Sequence, residues 1–129
     1  MKIDHVTLSV TDPDRTVAWW RSLLGDADGG EESGPGWRRC WLAWPDGLLL
    51  VFVRHDDASD ADRFAHARVG LDHLSLSCAD EAEVRSWAAR LDALGVDHGP
   101  VETPEDGWVL TARDPDGIAV EFFAAAPEA

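Results

Sequence analysis

Two short segments of this chain repeat one another almost residue for residue. Residues 4–9 read Asp-His-Val-Thr-Leu-Ser and residues 72–77 read Asp-His-Leu-Ser-Leu-Ser, and a Pro-Asp-Gly step follows each of them at a similar distance. Self-similarity of this kind indicates one supersecondary unit that is used twice. The repeat also gives His5 and His73 equivalent positions, so a two-fold arrangement of the units would bring the two imidazoles together.

Hydrophobic patterning predicts the same elements in both copies. Each copy opens with a strand of period two, followed by a helix whose apolar residues recur every three or four positions and which ends at Gly25 or Gly95. Three strands complete each β-α-β-β-β module, with one of them near residues 96–102 in the second copy, so the predicted fold class is α+β. The predicted bounds are about 1–55 for module 1, about 56–68 for a linker and about 69–124 for module 2, within a single domain of 1–129.

The first strand of each module has one apolar and one polar face. The apolar face must be covered by the helix of its own module. His5 and Thr7 share the polar face of the first strand, and His73 and Ser75 share that of the second. If the two sheets curve toward each other, these polar faces form the wall of a cleft.

Charge and composition exclude several classes of partner. The formal net charge of −14 repels nucleic acid and disfavours anionic membranes, and it is compatible with cations and with neutral or cationic ligands. The sequence has no apolar run long enough for a membrane span and no pattern of a signal peptide. Two isolated cysteines, Cys40 and Cys78, favour a reduced, cytoplasmic protein. Exposed sheet edges predict a homodimer with two-fold symmetry.

Three segments together resemble the vicinal oxygen chelate superfamily, which groups glyoxalases, bleomycin-resistance proteins and extradiol dioxygenases. They are residues 5–10 with the following helix and its Leu24-Gly25 end, residues 71–76, and the Asp-Pro-Asp-Gly of 114–117 that leads to Glu121. The resemblance covers essentially the whole chain. It implies two tandem βαβββ modules that form an eight-stranded, partly open barrel around a cleft.

The same resemblance implies that His5, His73 and Glu121 hold a divalent metal ion. Alignment of the two Pro-Asp-Gly turns makes Val51 the equivalent of Glu121, so the fourth ligand position of the family falls on Val51. Valine cannot bind a metal, whereas glyoxalase I and the methylmalonyl-CoA epimerases have an oxygen or nitrogen ligand there. Three protein ligands remain, as in the extradiol dioxygenases and the fosfomycin-modifying thiol transferases.

Two imidazoles and one carboxylate leave two or three positions open on a six-coordinate divalent ion. Fe2+ or Mn2+ is favoured by that ligand set, and Zn2+ or Ni2+ is an alternative. Adjacent open positions would let a small substrate bind through two neighbouring oxygens, and the ion would act as a Lewis acid that stabilises an enolate or a catecholate.

Other residues are candidates for supporting roles around the ion. The alternative to metal binding by Glu121 is an ion pair with Arg113 or Arg39. The alternative to a role in the pocket for most of the tryptophans is packing in the core. His55, just past a strand, is a weak candidate for a general base, and the catalytic residue stays unassigned. The predicted substrate pocket consists of Thr7, Ser75, Leu49, Val51, Trp41 and Trp108.

Three functional hypotheses follow. The first is a metal-dependent enzyme, dioxygenase-like or lyase-like, although the chain has no tyrosine, a common acid–base helper in extradiol cleavage. The second is a non-catalytic binding protein of the bleomycin-resistance type that sequesters a cationic or aromatic small molecule. The third is a structural or regulatory module that binds a ligand.

Overall fold

The computed structural model describes residues 1–128 and divides the chain into two compact units, unit 1 up to Asp62 and unit 2 from Arg63 onward. Each unit has one helix packed on one sheet. Unit 1 contains β1 (Val6–Ser9), α1 (Pro13–Leu24), β2 (Asp28–Gly34), β3 (Trp37–Ala43) and β4 (Leu49–His55). Unit 2 contains β5 (His73–Ser77), α2 (Glu81–Leu94), β6 (Gly107–Arg113) and β7 (Ala119–Ala125).

Unit 1 has a four-stranded sheet in the order β1-β4-β3-β2, in which β1 runs parallel to β4 and the other pairs are antiparallel. Asp12 caps α1, since its Oδ1 accepts the backbone N–H groups of Asp14 and Arg15 at 3.1 and 3.2 Å. Gly25 ends the helix with a φ of 83°, which favours glycine. The fully buried Trp20 packs against Phe52 of β4, with ring centroids 6.4 Å apart, and so fixes the helix to one face of the sheet.

Unit 2 has a three-stranded sheet in the order β5-β7-β6, again with its first strand parallel to its last. The side chain of Asp80 caps α2 by accepting the backbone N–H of Glu83 at 2.9 Å. Trp87 of α2 stacks on Phe122 of β7 at 4.5 Å, and Val84 and Leu91 are fully buried beside them. The α2 side of the sheet is therefore the core, and the other face carries the polar residues.

The α+β class and the two helix-on-sheet modules are confirmed, but the expected number of eight strands needs correction. The strand predicted near residues 96–102 is reduced to two isolated bridges, His98 to Ala112 and Glu102 to Val109. Pro100 lies between them and has no N–H to donate to a ladder. The described residues 1–128 thus form seven strands, in one sheet of four strands and one of three. No helix in that range is long and apolar enough to cross a membrane.

A histidine–aspartate contact beside these bridges predicts a pH-dependent contribution to stability. The Oδ1 of Asp92 lies 2.6 Å from Nε2 of His98, and this hydrogen bond, helped by the Gly99 carbonyl, raises the pKa of His98 above its ordinary 6.5. Because the pKa of His98 is higher in the folded than in the unfolded protein, protonation of the ring stabilises the fold. This stabilisation is fully present at pH values below the unfolded pKa and is lost as the pH rises through the folded pKa. We expect Asp92→Asn to lower the free energy of unfolding by about 0.5 kcal/mol near pH 5.5 and by much less near pH 8.5.

Urea unfolding at the two pH values measures this difference. Asp57→Asn, which removes an exposed carboxylate just after β4, is the control for the change in net charge. A loss of stability in Asp92→Asn that is the same at both pH values would contradict the assignment.

Candidate metal centre

His73 and Glu121 meet on the face of the unit 2 sheet that α2 leaves uncovered. Strand alternation turns Leu74 and Leu76 toward the helix and His73 to the opposite side. The parallel register of β5 and β7 pairs Ser75 with Glu121, which places the carboxylate diagonally across from the histidine. Nε2 of His73 lies 3.3 Å from Oε2 of Glu121, with the two side chains 42% and 22% exposed.

The separation of these two atoms fits two ligands of one ion. Ligands bound at about 2.0–2.2 Å in adjacent coordination positions lie about 3 Å apart. The 3.3 Å between Nε2 of His73 and Oε2 of Glu121 is close to that value. An imidazole nitrogen and a carboxylate oxygen also suit Fe2+, Mn2+, Zn2+ and Ni2+. The residues present therefore fit a divalent ion.

The ring of His73 is held from its other side by Asp72, whose Oδ1 lies 2.8 Å from Nδ1. This hydrogen bond, with a smaller contribution from the charge of Glu121, raises the pKa of His73 against the opposing effect of burial. A metal ion and a proton compete for the same nitrogen, because a ligating imidazole must be neutral.

His5 in unit 1 has the same local arrangement. It directly precedes β1, its side chain is 46% exposed, and its Nδ1 lies 2.7 Å from Oδ2 of Asp4. The register of β1 and β4 pairs Thr7 with Val51, as that of unit 2 pairs Ser75 with Glu121. Val51 is therefore the structural equivalent of Glu121, and unit 1 offers His5 without a partner carboxylate from β4. Binding of His5 to the same ion as His73 stays a prediction.

The predicted pocket residues of unit 1 lie in one row across the sheet. Thr7, Val51 and Trp41 are neighbours on β1, β4 and β3, on the face that α1 does not cover. Leu49 lies on that face as well, two residues before Val51. Trp41 is half-buried, and its ring lies against Gly30 of β2, where a Cβ would be only 2.3 Å from the ring. A side chain at that position would force the Trp41 ring to move.

The equivalent row in unit 2 is entirely polar. Glu121 is flanked by Ser75 on β5 and by Thr111 on β6. Thr111 was not predicted as a pocket residue, although its position in the alternation of residues 107–113 could have identified it. The hydroxyl groups on either side of the carboxylate are suited to hold water or substrate oxygens near an ion.

Trp108 does not belong to this polar face. It is paired with Ala124 and alternates with Leu110 and Ala112, the two fully buried residues on the α2 side. The prediction that Trp108 lines the pocket is therefore not retained, because period two turns it toward the helix. His55, the weak candidate for a base, is the exposed last residue of β4 and lies opposite Trp37.

The two arginines considered as alternative partners for Glu121 make other contacts. Arg39 pairs with Glu32 at 2.6 Å and lies over the ring of Trp37. Arg113 donates to the carbonyl of Gly117 at 3.2 Å. The contact of the Glu121 carboxylate that matters for metal binding is therefore the one with His73.

A second group of potential ligands occurs in unit 1, where side-chain atoms of Asp14, Glu31 and Cys40 lie within 4.8 Å of one another. They border an open cleft of about 300 Å³ beside α1. Nη2 of Arg38 lies 2.8 Å from Asp14 and 2.6 Å from Glu31, and its hydrogen bond lowers the pKa of Asp14. Burial raises the pKa of the Cys40 thiol. The guanidinium of Arg38 therefore neutralises the carboxylates of Asp14 and Glu31, and burial favours the neutral thiol form of Cys40.

Comparisons with known proteins agree with the fold. A sequence model of the Glyoxalase/Bleomycin resistance protein/Dioxygenase superfamily matches residues 2–122. The uncharacterized protein YqjT of Bacillus subtilis (strain 168) is 26% identical over 129 residues, covering 93% of this chain and 96% of YqjT.

Two solved structures illustrate the range of the likeness. A glyoxylase/bleomycin resistance protein/dioxygenase domain from Frankia sp. EAN1pec has a TM-score of 0.87 and 30% identity, covering 100% of this chain and 95% of that one. A mutant of the fosfomycin resistance protein FosX from Listeria monocytogenes, solved with Mn(II) and a dihydroxypropylphosphonic acid, has a TM-score of 0.70 and 21% identity, covering 97% and 93%. The FosX match shows a shared fold. The chain belongs to the Glyoxalase/Bleomycin resistance protein/Dioxygenase superfamily.

Proposed function

We propose that this protein is a metal-dependent enzyme that binds a small substrate through two adjacent oxygens, with His5, His73 and Glu121 as the ligands of a divalent ion. The observation that carries the proposal is the 3.3 Å contact between Nε2 of His73 and Oε2 of Glu121 on a helix-free, partly exposed face. The repeat supports His5 as the third ligand, because its ring is held in the same way as that of His73.

The native ion is proposed to be Fe2+ or Mn2+, with Zn2+ or Ni2+ as the alternatives. Two nitrogens and one carboxylate suit all four ions, and open positions for substrate favour the first two. The presence of Mn(II) in the FosX structure is consistent with this choice. When bound, the ion would supply Lewis-acid stabilisation of negative charge that develops on the substrate oxygens.

The chain's own residues would bind and orient the substrate. Ser75 and Thr111, on either side of Glu121, would donate hydrogen bonds to substrate oxygens or to water, and Thr7 would do so beside His5. Leu49, Val51 and Trp41 would give the substrate an apolar wall. The reaction is proposed to be dioxygenase-like or lyase-like, and His55 remains a weak candidate for the general base.

Metal analysis of the purified protein tests this proposal. We expect about one divalent ion per chain after reconstitution, since a single set of three ligands binds one ion. Asp14→Asn and Cys40→Ser are matched controls in the second ligand group of unit 1, and we expect them to leave the stoichiometry unchanged. Protein that binds none of the four ions would contradict the proposal, and loss of the ion in these two variants would assign it to the second group.

A second candidate function is non-catalytic binding of a cationic or aromatic small molecule. The flat, half-buried ring of Trp41 beside Thr7 and Val51 favours an aromatic ligand, and the net charge of −14 favours a cationic one. Tight binding of such a ligand by metal-free protein, with no chemical change in the ligand, would support this function over the first.

The proposed setting is a cytoplasmic homodimer that binds neither nucleic acid nor membranes. Cys40 and Cys78 are free and buried, as suits a reducing compartment. Strands β1 and β2 are the edges of their sheet, and Ile3, just before β1, is exposed. A second copy that covers such an edge would bury both the unpaired backbone groups and the apolar side chain.

A further inference from the structure

The residue before each candidate histidine is an aspartate that contacts the histidine ring. Oδ2 of Asp4 lies 2.7 Å from Nδ1 of His5, and Oδ1 of Asp72 lies 2.8 Å from Nδ1 of His73. The same ring nitrogen contacts the aspartate in both units, although unit 1 has Val51 at the strand position where unit 2 has Glu121. Two independent occurrences of one contact indicate that the contact has a role beyond local packing.

An ionised carboxylate can only accept a hydrogen bond, so the nitrogen that faces it must carry the proton. A neutral imidazole has one N–H and one lone pair, and the hydrogen bond at one nitrogen determines where the lone pair lies. With Nδ1 bound to Asp4 or Asp72, the lone pair of each ring is on Nε2. In the opposite tautomer Nε2 would carry hydrogen and would be unable to ligate.

The direction of the His73 ring agrees with this role. Asp72 holds Nδ1 on one side of the ring, and Nε2 on the other side lies 3.3 Å from Oε2 of Glu121, the other candidate ligand of unit 2. The side chains of Asp4 and Asp72 are 86% and 68% exposed, so packing of the sheets does not require a carboxylate at either position.

We propose that Asp4 and Asp72 are positioning residues that hold His5 and His73 in the Nδ1–H tautomer and so present both Nε2 lone pairs to the metal ion. The inference rests on the proposed function, because it gives the two rings a purpose only if they ligate. Carboxylates behind ligating histidines typically contribute 10–100-fold to metal affinity. Because these two are exposed and compete with water, we expect about tenfold for each.

The tautomers are measured in metal-free protein by long-range proton–nitrogen NMR at about pH 9, well above the ordinary histidine pKa of about 6.5. We expect the Nδ1–H form for His5 in the wild type, loss of that preference in Asp4→Ala, and its retention in Asp4→Asn, whose carbonyl still accepts. For His73 the comparison is made in the Glu121→Ala background with Asp72→Ala and Asp72→Asn, so that no second carboxylate competes for the ring proton.

Mn2+ affinity is then measured for the single variants. We expect the dissociation constant to rise about tenfold in Asp4→Ala and Asp72→Ala and less in the asparagine variants. Asp57→Ala removes an exposed carboxylate that follows the end of β4, whereas His5 precedes β1, which runs parallel to β4, and it should change the constant less than about twofold. Circular dichroism establishes that each variant is folded. If an alanine variant does not fold, the comparison is made with the corresponding asparagine variant.

The outcomes separate this inference from the proposed function. Nε2–H rings in a wild-type protein that binds Mn2+, or equal affinity in the wild type and the folded alanine variants, would overturn the positioning role alone. Nδ1–H rings in a protein that binds no divalent ion would overturn the proposed function and, with it, the metal-directed role of the aspartates.

Discussion

Replacement of Glu121 by glutamine is expected to raise the dissociation constant for the metal ion by more than about a hundredfold and to abolish metal-dependent turnover. Loss of a residue behind a ligand already costs about 10–100-fold, and Glu121 would be a ligand itself, so its loss should exceed that range. The amide keeps the size of the side chain but removes the negative charge that lies 3.3 Å from Nε2 of His73. Isothermal titration with Mn2+ and Zn2+ measures the constant.

Glu102→Gln is the matched control for this experiment. Glu102 belongs to the same unit and is exposed, and its backbone, rather than its side chain, bridges to Val109. We expect a change of less than about twofold in Glu102→Gln, because its carboxylate is far from the ring of His73 in the register of the sheet. Wild-type affinity in a folded Glu121→Gln protein would exclude Glu121 as a ligand.

Truncation of Trp20 to alanine should produce the largest loss of stability in unit 1, about 3–5 kcal/mol in the free energy of unfolding. The indole is fully buried and packs against Trp44 and Phe52, with ring centroids 6.1 and 6.4 Å away. Its removal would leave a cavity between α1 and the sheet, because the surrounding structure relaxes only partly into the vacated space. Urea or thermal unfolding, followed by circular dichroism, measures the loss.

Trp20→Phe separates the volume of the indole from its polar group. Nε1 of Trp20 is buried without a hydrogen-bond partner among the described residues, so phenylalanine gives up no hydrogen bond. We expect this variant to lose less than half of the stability that alanine loses, since an aromatic ring still contacts Phe52. Equal losses in the two variants would contradict the claim that packing volume is the cause.

The sequence is sufficient for the features that depend on local periodicity. Alternation alone assigns His73 and Ser75 to one face of β5 and Leu74 and Leu76 to the other, and the structure confirms this. Alignment of the two Pro-Asp-Gly turns made Val51 the equivalent of Glu121, and the strand registers agree. The same alternation assigns Trp108 to the face of Leu110 and Ala112, away from the predicted pocket.

Contacts between residues far apart in the chain were decided only by the tertiary structure. The pairing of β5 with β7 brings His73 to within 3.3 Å of Glu121. The pairing of β2 with β3 brings Arg38 to Glu31, and the packing of α1 on β3 brings it to Asp14. The prediction of a strand near residues 96–102 was wrong for the same reason, because a strand needs continuous pairing with a neighbour. Pro100 has no N–H to donate, and only two isolated bridges form on either side of it. By itself the sequence determined the repeated module and the face on which each side chain lies, because strand and helix periods are local. Which of those side chains meet was left to strand pairing, whose register depends on the packing of the whole unit.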